Sequence, residues 1–240
     1  DSDNISVTNT ASGVIDINVA NSGAATVTID DIQQSGSTTT ITAAADGLIV
    51  DDSGADNDGT AITQGTGLLT LDANGTNSDV VLNDAIVASG AVTITADDSV
   101  TSGAGGDITA SGTLTVTADA NTTADGDGSD VITMANGSLW DATAGAIVLS
   151  ADGSITLGGL VTTNTSTTAI QVSSTTGSIL DGGDDDEEAD ASGGRIVLTA
   201  QDGVGVAVAV GADVALEVDA DSLDVSVTGT GAINLDETNT

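Results

Sequence analysis

Apolar residues in this chain recur as pairs one residue apart: Ile15/Ile17, Val27/Ile29, Leu69/Leu71, Val80/Leu82, Val92/Ile94, Leu114/Val116, Ile132/Met134, Ile147/Leu149, Ile170/Val172, Ile196/Leu198, Leu216/Val218 and Ile233/Leu235. A spacing of two places both members on one face of a β-strand. The clearest unit is Gly145-Ala-Ile-Val-Leu-Ser-Ala-Asp-Gly-Ser-Ile-Thr-Leu157. Here Ile147, Leu149 and Ala151 alternate with smaller or outward residues, Asp152-Gly153-Ser154 supplies turn chemistry, and Ile155 and Leu157 restart the alternation. Copies recur at Ile94–Val100, Leu198–Val204 and Val218–Leu223, with longer corners at Val172–Ile179 and Ile41–Leu48. The pattern predicts short strands, joined by tight corners that often begin with a small residue. Disorder would not keep this rhythm. A helical repeat would need 3.6-residue periodicity and helix formers, whereas Thr, Val, Gly and Asp dominate.

Short strands joined by corners suit a backbone that winds around an axis, each turn pairing in parallel with the next. From Ile94 to Leu235 the pairs advance in seven steps of about 20 residues each. The expected fold is an all-β parallel β-solenoid of about 20–22 residues per coil, with about 11 coils and a rod about 50 Å long. An antiparallel sandwich is the main rival; it would favour Asn-Gly or Asp-Gly hairpins and an aromatic core. Residues 1–240 read as one solenoid segment carrying an acidic insertion at 181–193. With no capping helix evident at either terminus, the segment is expected to belong to a longer chain or a filament.

Composition sharpens this picture. The chain has one Trp (Trp140), one Met (Met134) and one cation (Arg195), and no Phe, Tyr, His, Cys, Pro or Lys. A core without aromatics must be thin, as a narrow stack of Val, Ile, Leu and Ala would be. Against the single cation stand 37 acids, a net charge of −36. That charge argues against nucleic acid, which is bound by Lys and Arg, and against an anionic membrane surface. No apolar run approaches the length of a membrane span, so membrane insertion is not expected. Self-repulsion on this scale favours a saline or calcium-containing medium, hence an extracellular or cell-surface location. The lack of cysteine is compatible with that setting.

The Gly-x-Ile-x-Leu-x-Ala-x-Gly-x-Ile-x-Leu style of residues 145–157, echoed from about residue 11 to 235, resembles the filamentous-haemagglutinin type of secreted bacterial β-helix and related giant surface adhesins. The resemblance implies a right-handed parallel β-helix, export across an outer membrane and a role in attachment or an extracellular matrix.

Candidate chemistry is confined to carboxylates. Lyase, nucleophilic and zinc chemistries lack their His, Lys, Tyr or Cys, so no enzyme activity is expected. The acidic run supplies Asp181, Asp184, Asp185, Asp186, Glu187 and Glu188 as hard oxygen donors suited to Ca²⁺. Asp56 and Asp58, and Asp125, Asp127 and Asp130, are two smaller candidate Ca²⁺ sites. Arg195 is expected to pair with a neighbouring carboxylate. Trp140 is expected to pack on the rod, with a sugar-stacking platform as the alternative. Partners are then other copies of the chain, meeting end to end or laterally, or a surface glycan. The expected role is a structural rod of a bacterial surface fibre; the alternative is the stalk of a two-partner-type adhesin that binds host or carbohydrate surfaces.

Overall fold

The computed structural model describes residues 3–20, 26–44, 47–54, 57–119, 130–182, 190–205 and 215–238. Among them are 25 strands and no helix, and every strand pairing is parallel. No helix is long and apolar enough to cross a membrane. The strands fall into three ladders, which form the faces of a parallel β-solenoid.

Face A stacks Ile15–Val19, Thr39–Ala43, Leu69–Ala73, Val92–Ala96, Leu114–Thr117, Ile147–Ala151 and Ile170–Ser174. The second halves of Ala191–Ala200 and Leu216–Val227 complete it. Face B runs from Asp3–Ile5 and Val27–Ile29 through Gly47–Val50, Asp79–Leu82, Val100–Ser102, Ile132–Met134, Ile155–Leu157, Ser178–Asp181 and Gly203–Val204 to Ala232–Ile233. Face C lies between them in chain order and includes Thr60–Gln64, Ala85–Ala88, Ile108–Ala110, Leu139–Asp141 and Gly159–Val161. Each coil therefore contributes one strand to B, then C, then A.

Face A counts nine strands, so the ladder carries Ile15 to Leu223 in eight coil steps, an average of about 26 residues per coil. This is longer than the expected 20–22, and the described strands make nine complete coils and the face B and C strands of a tenth rather than about 11 coils; at about 4.8 Å per coil the rod is about 45 Å long. The cause lies in the apolar pairs themselves. Leu114/Val116 and Ile147/Leu149 belong to face A, Ile132/Met134 to face B and Leu216/Val218 to face C. Counting them as one series folds three ladders into one and shortens the apparent period.

Inward positions on each face form columns of like residues. One face A column is Ile15, Thr39, Leu69, Val92, Leu114, Ile147, Ile170 and Ile196, all buried. The predicted small residue at the corner is found where face A ends: Ala43, Ala73, Ala96, Ala118, Ala151 and Ala200 are buried. Before face A the coils approach even more closely. A Cβ on Gly67 would lie 2.1 Å from the carbonyl oxygen of Ser37, one on Gly90 2.3 Å from that of Gly67, and one on Gly145 2.1 Å from that of Gly112. Only glycine fits such a stack.

Trp140 is fully buried, in the face C column between Ile108 and Leu160, and its indole Nε1–H donates to the Gly106 carbonyl at 3.1 Å. The Ser102 hydroxyl donates to the same carbonyl at 2.8 Å and lies 2.8 Å from the Ser138 hydroxyl. Trp140 is thus core, as expected, and offers no surface for stacking a sugar. Two buried glutamines, Gln34 and Gln64, occupy consecutive inward positions of face C.

Candidate acidic site

The middle coils of face A carry few of the charges. On face A the outward positions of seven consecutive coils are Thr40/Thr42, Thr70/Asp72, Thr93/Thr95, Thr115/Thr117, Val148/Ser150, Gln171/Ser173 and Val197/Thr199, with Asp72 the one acid. Outward threonines are good strand residues, and the Thr95 hydroxyl donates to the Asp72 carboxylate at 2.8 Å. Among the described residues the acids divide between corners, where turn geometry favours Asp, and strand positions, mostly on the first and last coils.

Stacking brings carboxylates of successive coils together. Asp119, Asp130 and Asp152 each offer an oxygen within 4.8 Å of the others, and Asp181, Asp190 and Glu217 do the same. In the first group Asp119 ends one coil and Asp152 ends the next, the coils being tied by the Ala118 N–H donating to the Ser150 carbonyl at 3.0 Å. Asp130 opens the coil that Asp152 ends and is 9% exposed. In the second group Asp190, 1% exposed, accepts from the Glu217 N–H at 3.1 Å through Oδ2. Glu217 belongs to the following coil.

Of the residues singled out in the sequence, Asp130 and Asp181 enter these groups. Asp58 does not: it is exposed and its Oδ1 accepts from the Thr60 N–H at 3.0 Å, an Asx turn. Asp56, Asp125, Asp127, Asp184, Asp185, Asp186, Glu187 and Glu188 lie outside the described residues. Sequence reading missed Asp119, Asp152, Asp190 and Glu217. Only the coil register brings Asp152 beside Asp119, and Glu217 beside Asp190. A signal existed for Asp190, which lies within the acidic insertion at 181–193.

Three carboxylates at this separation supply three to six hard oxygens, a suitable partial shell for Ca²⁺, which takes about six to eight at about 2.3–2.6 Å. The chain's single cation is engaged elsewhere. Arg195 pairs across one coil step with Asp224 at 3.0 Å, both side chains being substantially exposed. This is the pairing with a neighbouring carboxylate that the sequence led us to expect, although its partner is on the next coil rather than in the acidic run. At that exposure it contributes at most about 1 kcal/mol.

No protein-family model, curated protein or solved structure matches this chain. Its functional reading therefore rests on the solenoid and its charge.

Proposed function

We propose that this chain is a structural rod, an element of an extracellular or cell-surface bacterial fibre of the filamentous-haemagglutinin kind, and that it performs no catalysis. The observation that carries the reading is the stack of parallel coils with a continuous apolar interior and carboxylates of successive coils brought together. Each coil contacts its neighbours through backbone hydrogen bonds and inward columns, so strength grows with length and the product is a stiff linear element. Such a rod works by span and rigidity. It associates with further copies of itself, and Ca²⁺ held by these carboxylates screens the charge and ties adjacent coils.

Negative-stain microscopy of the purified chain with and without Ca²⁺ tests this. Uniform rods that join into fibres are expected. Collapsed or globular particles would refute the rod, whereas short rods that stay dispersed and adhere to glycan-coated surfaces would favour an adhesin stalk.

A further inference from the structure

The sequence holds two Asn-Gly pairs in nearly identical settings, Ala73-Asn74-Gly75-Thr76 and Ala135-Asn136-Gly137-Ser138, and both asparagines are exposed. In such a pair the side-chain amide carbon stands close to a backbone nitrogen that no Cβ shields, so an intramolecular attack is open wherever the backbone is free to turn. The fold treats the two differently. At Asn136 the Ser138 N–H donates to the Ala135 carbonyl at 3.0 Å and Gly137 has φ 86°, a closed type II turn that fixes the backbone on both sides of the asparagine. At Asn74 only the preceding side is tied, by its own N–H donating to the Ala43 carbonyl at 2.9 Å. Among the described residues the Gly75 N–H donates no hydrogen bond, and Asn74 and Thr76 on either side are exposed. Two glycines that follow aspartate are held instead: the Gly59 N–H donates to Asp52 Oδ2 and the Gly153 N–H to the Asp130 carbonyl, both at 2.8 Å. Asn74 also heads a row of acids. Face A register stacks the buried Ala73, Ala96, Ala118 and Ala151, so the residues that follow them, Asn74, Asp97, Asp119 and Asp152, succeed one another along one corner of four consecutive coils.

We infer that Asn74 is a self-modification site, at which the folded chain converts its own asparagine to aspartate or isoaspartate. The Gly75 nitrogen attacks Asn74 Cγ, the bond from Cγ to the side-chain nitrogen breaks, and that nitrogen leaves as ammonia with the proton of the Gly75 N–H. A succinimide ring is left. Water opens it: scission of the new bond between Cγ and the Gly75 nitrogen gives aspartate, and scission between that nitrogen and the main-chain carbonyl carbon gives isoaspartate. Water enters, ammonia leaves, and no oxidant or other reagent is consumed. Either product places a carboxylate ahead of Asp97, Asp119 and Asp152, so the acidic row at this corner extends by one coil as the protein ages. Isoaspartate also inserts a methylene into the backbone at the corner.

Asn136 serves as the internal control, because its local sequence matches and only the fold separates the two sites. The full chain, folded or in denaturant, is incubated in mildly alkaline buffer, where the attacking nitrogen loses its proton more readily, and in mildly acidic buffer. It is then digested and read by mass spectrometry, with isoaspartate counted by a methyltransferase specific for it. In the folded chain the peptide holding Asn74 should gain the amide-to-acid mass several-fold faster than the peptide holding Asn136, and faster in alkali than in acid. In denaturant the two should convert alike. Gly75→Ala should slow the reaction at Asn74 several-fold and leave Asn136 unchanged, with Trp140 fluorescence verifying the fold; if that variant does not fold, the comparison of folded with denatured parent chain decides alone. Equal rates at the two sites in the folded chain would overturn the inference, as would an Asn74 that keeps its amide while the denatured chain converts.

Discussion

The two buried glutamines give a sharp test of how the interior is held. Gln64 Nε2 donates to the Ser37 carbonyl and Gln64 Oε1 accepts from the Thr39 hydroxyl at 2.6 Å, so its amide is satisfied on both sides. One coil earlier, Gln34 repeats half of this arrangement. Its Nε2 donates to the Gly13 carbonyl at 2.8 Å, which fixes the amide orientation because a carbonyl only accepts. Its Oε1 is buried without a hydrogen-bond partner. The reason is one residue: the position that supplies the hydroxyl of Thr39 in the next coil is Ile15. Thr39→Val keeps the shape and strands Gln64 Oε1, which should cost about 1–3 kcal/mol. In a chain of this size that corresponds to about 2–4 °C in Tm for each kcal/mol, with amide hydrogen exchange in the same coils as the local readout where unfolding is not all-or-none. Adding Gln64→Leu should recover only part of the loss, since it removes the stranded Oε1 but also the donor to the Ser37 carbonyl. At residue 15 the ordinary core rule should invert. Ile15→Thr should be more stable than the isosteric Ile15→Val, because only the first supplies a donor to Gln34. A Thr39→Val chain as stable as the parent, or Ile15→Val outlasting Ile15→Thr, would refute the reasoning.

Three further outcomes are expected. Gly145→Ala, whose methyl would sit 2.1 Å from a backbone oxygen, should destabilise by about 1–3 kcal/mol or more, while Gly36→Ala, with nothing within 4 Å, should change denaturant midpoints little. Trp140 should emit in the blue and resist acrylamide quenching until the coils around it open, and Trp140→Ala should cost about 3–5 kcal/mol by thermal melt. Ca²⁺ at about 100 times its Kd should raise stability by about 2.7 kcal/mol for each of the two carboxylate groups. That gain should be lost in part on Glu217→Gln or Asp119→Asn and fully on combining them; an unchanged gain in the combined variant would remove these carboxylates from cation binding.

The kind of order in this protein is legible from the run of residues alone. Alternation at pairs such as Ile147/Leu149, turn residues such as Asp152-Gly153 and the near absence of aromatics sufficed for short strands, a thin aliphatic core and a coil of parallel turns, because side-chain period and turn chemistry are local properties. The same reading sufficed for Trp140 as core and for Arg195 as one half of an ion pair. Which turn lies on which emerged only from the stacked coils. Corner lengths set the step between coils, and the step from Leu114 to Ile147 is half as long again as the one from Val92 to Leu114. Nothing local announces whether an apolar pair serves face A, B or C. The acidic groups are legible only after that register is known, since Asp152 meets Asp119, and Glu217 meets Asp190, through stacking rather than proximity along the chain. The same applies to Gln34, whose unsatisfied oxygen traces to Ile15 and becomes visible only against the neighbouring coil. Contacts between coils join residues far apart in sequence, and the variable corners erase the fixed spacing that would have revealed them.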